Sequence, residues 1–169
     1  SRRCRTEVRR TSGSTRRRDG CFKSTWTRSA LEAGDPVTAM ARFTAALERD
    51  AADSRSAFER GSLFLRMHEA KLAIADFTTV ILAEPGNAAA YSLRGLAKFD
   101  LHDATGAEAD MNEAISRDPA NPDRYVDRAS FDLKSGNVAA ARTDLQKAAG
   151  LSSGAKAAAI RKALAAIGG

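Results

Sequence analysis

The sequence is poor in the residues that cross-link or stiffen a chain. Of its 169 residues two are cysteine, four proline and one tryptophan, and aromatics make up 6%. The cysteines, Cys4 and Cys21, both precede residue 22, which excludes a disulfide scaffold and leaves the redox compartment open. Few prolines and aromatics against 35 alanines favour closely packed helices over sheet. No apolar run approaches the ~18–20 residues that span a bilayer. Histidine occurs twice, at His68 and His102, with no neighbouring ligand at metal-binding spacing. Apart from the final Gly168-Gly169 the glycines stand singly and form no phosphate-cradling loop, and no serine lies in a G-x-S-x-G elbow. The chain is therefore read as non-enzymatic, with no cofactor and no metal.

A balanced charge is lacking in one place only. Lys and Arg number 27 against 21 Asp and Glu, a formal net charge of +6. Residues 1–20 hold eight arginines against Glu7 and Asp19, so the whole excess lies there and residues 21–169 are neutral. The opening SRRCR echoes a twin-arginine export signal, but no apolar segment follows it. Ser1 in place of a methionine points to a processed, truncated or fragmentary chain. The segment has three readings: neutralisation of nucleic-acid phosphates, contact with anionic lipid, or a disordered tail outside the folded unit. It has no interleaved aromatic platform, which favours the tail, and nucleic acid is expected only through residues 1–20.

What is present in quantity is hydrophobic residue, 43% of the chain, and it repeats. Shifting the sequence by 34 residues aligns Ala39, Ala73, Ala107 and Ala141. Four residues on stand Phe43, Phe77, Met111 and Leu145, and three further Ala46, Val80, Ala114 and Ala148. Gly61, Gly95 and Ala129 form a small-residue column, Tyr91 and Tyr125 an aromatic one, and Pro85 and Pro119 a terminating one. Asp35, Glu69, Asp103 and Asn137 mark a polar position. Each copy reads as two helices. In the third, the second helix is predicted over 104–117, with Ala107, Met111, Ala114 and Ile115 on one face and Pro119 ending it. The small columns of first and second helices are expected to meet, so that two backbones approach closely. The two histidines share a turn column with Gly34 and Gly136, a place where positive φ is expected.

These columns resemble the tetratricopeptide repeat (TPR) family, whose pattern is aromatic, Leu-Gly or Arg-Gly, aromatic, Ala, aromatic, Ala and Pro. Gly61, Phe64, Ala73, Phe77 and Pro85 carry it in residues 54–87, with Arg60-Gly61 and Arg94-Gly95 marking an Arg-Gly variety. Residues 88–121 depart at Lys98 and Met111, and 122–155 at Leu145 and Ser153. Residues 21–53 keep Ala39, Phe43 and Ala46, but their first helix, around Phe22, Trp26 and Leu31, has lost the motif. The fold expected is an all-α, right-handed solenoid of antiparallel helix pairs. Residues 1–20 form a basic tail, 21–53 a degenerate unit, 54–87, 88–121 and 122–155 three repeats, and 156–169 a capping helix. In that last segment Ile160, Leu164 and Ile167 lie opposite Lys156, Arg161 and Lys162; a cut-off fifth repeat is the competing reading.

The recurring Arg60, Arg94 and Arg128 match the period of Asp76, Asp110 and Asp144. They read as ion pairs that set register in preference to an anion-binding ladder. Helical phase, with the geometry the resemblance implies, leaves the concave groove to first helices. Arg55, Phe58, Ser62 and Arg66 line it in one repeat, Ala89, Ser92, Leu96 and Phe99 in the next, and Asp123, Val126, Ser130 and Lys134 in the last. An apolar middle with basic ends suits a peptide or partner helix with apolar anchors and some acids. Family members that bind chaperones hold a C-terminal carboxylate in a Lys/Asn/Lys/Arg clamp. Phe58, Ser62 and Val126 stand where that clamp asks for polar or basic groups, so such a clamp is not expected. The function expected is a protein–protein interaction scaffold or adaptor. The alternatives are a nucleic-acid- or anionic-surface-associated adaptor acting through the Arg-rich segment, and self-association through the end repeats.

Overall fold

A computed structural model describes residues 36–167. The Arg-rich segment, both cysteines, the first helix expected around Phe22, Trp26 and Leu31, and Gly34 and Asp35 lie outside the described residues. Within them there are eight helices and no strand. The order is α1 (Pro36–Arg49), α2 (Ser54–Arg66), α3 (Ala70–Ala83), α4 (Ala88–Asp100), α5 (Ala104–Arg117), α6 (Pro122–Lys134), α7 (Val138–Leu151) and α8 (Gly154–Ala166). Helix α5 has the bounds predicted from its pattern. No helix among them is long and apolar enough to cross a membrane.

Local chemistry explains where the helices start. The polar columns are N-caps: Asp53, Asn87, Asp103 and Asn137 each accept a hydrogen bond from a backbone N–H three residues on, satisfying a donor that helix geometry leaves orphaned. Asn121 does the same for Asp123, with Pro122 opening α6 where a missing N–H costs nothing. Glu69 occupies the same column without a side-chain cap bond. Between paired helices the chain turns through a left-handed residue, His68 at φ 60°, His102 at φ 63° and Gly136 at φ 81°, as the turn column predicts.

The second-helix columns form the core. Phe43, Phe77, Met111 and Leu145 are buried, as are Ala39, Ala73, Ala107 and Ala141, while Val80, Ala114 and Ala148 complete the stripe. Burying one such large side chain is worth about 1.5–3 kcal/mol. The small column sets the spacing. A Cβ added at Gly95 would lie 3.1 Å from the Ala107 carbonyl oxygen and 3.3 Å from the Asp110 Cβ, so α4 rests directly on the α5 backbone. At Gly61 the nearest side chains are Asp76 and Phe77, each 3.1 Å away.

Each helix packs on the next in sequence, and α2 meets α4 and α4 meets α6. The second helices α1, α3, α5 and α7 make no such contact with one another. First helices thus build a continuous inner wall and second helices an outer layer. Helix α8 packs on α7, sinking Ile160 into the cluster of Tyr125, Ala129, Ala141, Leu145 and Ala148 and leaning Leu164 and Ile167 on its edge. Its Lys156, Arg161 and Lys162 remain exposed, and it starts at Gly154, two residues before the expected 156.

Candidate functional site: the inner wall and its arginine staples

The three arginines are committed to the fold. The guanidinium of Arg60 donates through Nε and Nη2 to both oxygens of Asp76, at 2.8 and 2.7 Å. Arg94 grips Asp110 at 2.8 and 2.8 Å, and Arg128 grips Asp144 at 2.7 and 2.8 Å, in the same fork. This bidentate geometry is among the stronger ionic hydrogen bonds. The remaining Nη1 of each turns to the preceding outer helix, reaching Thr44 at 3.4 Å, Thr78 at 3.3 Å and Asn112 at 2.7 Å. Each arginine therefore ties a first helix to the outer helices of its own and the previous repeat, sixteen residues away in both directions. Hydrogen bonding to the aspartate holds all three guanidinium groups above their usual value, against the pull of burial. Asp110 receives a second cation, Lys98 Nζ at 2.9 Å. Burial pushes that carboxyl up, but Arg94 and Lys98 outweigh it and hold it below the ordinary range. The register reading of these residues stands, and its Thr/Asn partners were not visible from charge periodicity.

The residues expected along the groove divide into three groups. Arg55, Arg66, Ser130 and Lys134 are exposed, and Ala89 is half-buried. Ser62 and Ser130 turn their hydroxyls inward, each donating at 2.8 Å to a carbonyl one helical turn back. Lys134 lays its Nζ 5.9 Å from the centre of the Phe99 ring. Asp123 pairs with Lys156 of α8 at 2.7 Å.

A second group is half-buried packing. The Phe58 ring meets Phe77 edge-on at 5.8 Å, and Phe99 meets Phe131 at 5.3 Å. Leu96 and Phe99 cover the cluster of Ala107, Met111 and Phe131, and Val126 leans on the cluster beneath α8. These side chains support the wall, so truncating Phe58 and Phe99 together would loosen two core clusters as well as any bound partner. Ser92 is a correction. It is 0% exposed and cannot touch a partner, because it lies wedged between α4 and α6.

What holds Ser92 was missed. Arg124 of α6 donates through Nη1 to the Ser92 hydroxyl at 2.9 Å and to Asp127 at 3.1 Å, while its buried Nε has no hydrogen-bond partner. Burial raises the Asp127 carboxyl above its ordinary range despite Arg124. The available signal was a departure: Ser56 and Ala90 occupy the Arg124 column in the earlier repeats, both buried and small.

No family model and no curated protein matches the chain. Solved structures do. A thermophilic TPR protein in Thermus thermophilus is 17% identical with a TM-score of 0.73, over 83% of this chain and 77% of that one. MamA (residue 41 to the end) from Desulfovibrio magneticus is 22% identical with a TM-score of 0.67, over 74% and 71% respectively. The TPR2B domain of yeast Sti1, solved in its complex with pHsp70, is 23% identical with a TM-score of 0.60, over 68% and 91%. Likeness at such identities speaks for the fold: the described residues adopt the fold of a tetratricopeptide-repeat solenoid, with the in-register columns and staples as its repeating marks.

Proposed function

We propose that the chain is a protein–protein interaction scaffold that binds a peptide or partner helix along the inner wall of α2, α4 and α6, with no covalent step. The observation that carries this reading is the continuity of that wall. Three first helices lie in direct succession, and Arg55, Arg66, Ser130 and Lys134 stay exposed on them. Concave first-helix surfaces of repeat solenoids are the usual seat of extended partners. The Sti1 neighbour was solved with its own partner bound, which fits a binding role for this architecture. Half-buried Leu96 and Phe99 supply apolar ground, and the basic ends favour a partner with some acids.

The test uses exposed positions and leaves the packing aromatics alone. Arg55→Glu with Ser130→Arg reverses one charge and adds one bulky cation on the wall. In affinity capture with mass spectrometry, partners retained by wild type are expected to drop at least tenfold with the double variant. Unchanged capture, with an unchanged melting temperature, would move the site off this wall.

A further inference from the structure

The inner wall is short of one kind of chemistry. Helices α2, α4 and α6 read SRSAFERGSLFLR, AAAYSLRGLAKFD and PDRYVDRASFDLK, with no asparagine or glutamine in any of them. The serines at groove positions are already engaged. Ser62 and Ser130 donate to carbonyls of their own helices, and the buried Ser92 accepts from Arg124. An extended peptide carries a donor and an acceptor at nearly every residue, and these need partners once water is displaced. The wall's own backbone offers none, because helical ladders consume it. A partner helix satisfies its backbone internally and asks of the wall only apolar contact and complementary charge.

That charge is laid out in a row. Each first helix ends on a charged residue, Arg66 on α2, Asp100 on α4 and Lys134 on α6. All three are exposed, and none forms an ion pair among the described residues. Asp100 is electrostatically out of place, because the C-terminal end of a helix favours a cation. Lys98, the one cation of that turn, is spent on Asp110. Beside each charge stands an apolar residue. Leu65 is half-buried in the cluster that includes Ala97 of α4, and Phe99 is half-buried against Phe131 of α6. Leu133 has no following first helix alongside it, since α8 packs on α7, and it is 37% exposed. Lys134 reaches back to within 5.9 Å of the centre of the Phe99 ring, so charge and apolar surface from neighbouring helices share one face.

We propose that the wall takes an amphipathic α-helix lying across α2, α4 and α6. Its apolar residues meet Leu65, Phe99 and Leu133, while an acid, a base and an acid meet Arg66, Asp100 and Lys134. Such an occupant presupposes the inner-wall seat proposed above. Packed neighbouring helices lie about 8–10 Å apart. At a rise of about 1.5 Å per residue a crossing helix covers that distance in roughly seven residues. Partner contacts therefore recur at heptad spacing, and the charge row reads the same in either chain direction.

The test titrates the isotope-labelled full chain with synthetic peptides of three heptads at low salt. Each peptide has leucine at the first heptad position and alanine at the fourth. The fifth positions carry Glu, Lys and Glu in one peptide and Lys, Glu and Lys in the other. The Glu-Lys-Glu peptide is expected to bind at least tenfold tighter, moving backbone amide resonances near Arg66, Asp100 and Lys134. A copy of it with proline in the middle heptad, which cannot form one continuous helix, should bind at least tenfold more weakly. Arg66→Glu/Asp100→Lys/Lys134→Glu, all at exposed positions, should invert the preference between the two charged peptides. Equal binding of both peptides, undiminished binding of the proline copy, a preference unchanged in the triple variant, or no shift on α2, α4 and α6 with any peptide overturns this occupant. The wall itself stands or falls separately, by the capture experiment above.

Discussion

Single residues set the electrostatic balance of this solenoid, and Asp132 and Asp110 are shifted in opposite directions. Burial lifts the Asp132 carboxyl and nearby Asp144 lifts it further, whereas Asp110 is held down by two cations. A raised carboxyl binds more protons folded than unfolded, so it weakens the fold at neutral pH and the penalty fades as pH falls through its folded value. A lowered one stabilises above its unfolded value and that support is lost as pH falls through the folded value. Asp132→Asn should therefore raise the urea midpoint at pH 7, and the gain over wild type should shrink as pH falls towards the ordinary aspartate value of about 3.9. A gain that stays constant over that range contradicts the assignment. Asp132→Lys rebuilds the Lys98–Asp110 arrangement and should raise the melting temperature by roughly 2–8 °C, the shift about 1 kcal/mol produces in a domain of this size range. The opposite change, Asp110→Ala, strands Arg94 and Lys98 and should cost about 3–5 kcal/mol in denaturant unfolding.

At the scale of the helix, two devices recur: capped starts and a close first-to-second helix crossing. Gly95 lies against the α5 backbone, and a branched side chain there has no room to move the Ala107 carbonyl. Gly95→Val should cost about 1–3 kcal/mol by overpacking, measured as a lowered urea midpoint with native helical circular dichroism retained below it. Asn87→Ala removes the bond to the Ala90 N–H and should cost about 1 kcal/mol. This is also the scale at which the sequence was most legible. Period and helical phase together located the second-helix stripe, the bounds of α5, the turn histidines and the arginine–aspartate pairs, because each repeats in chemically distinct columns. Ser92 was misread because phase alone cannot separate a side chain facing the open wall from one wedged against the neighbouring first helix. That depends on how closely successive helices approach. Phe58 and Phe99 looked like anchors for the same reason, while Phe58 reaches sideways to Phe77 of its own repeat and Phe99 to Phe131 of the next.

Over the whole molecule, stability is a sum of repeats and the interfaces between them. The arginine staples add a link across each interface, and their Nη1 bonds to Thr44, Thr78 and Asn112 tie every described repeat to its predecessor. The charge excess lies in residues 1–20 and the acids and bases of residues 21–169 balance, so the binding preference proposed for the wall rests on its local pattern. That wall is the centre of the account. The most direct measurement is side-by-side affinity capture with mass spectrometry on wild type and Arg55→Glu/Ser130→Arg, both shown by melting temperature to be equally folded. The account predicts that a defined set of partners is retained by wild type and reduced at least tenfold by the variant; the same partners recovered in equal amounts from both would contradict it.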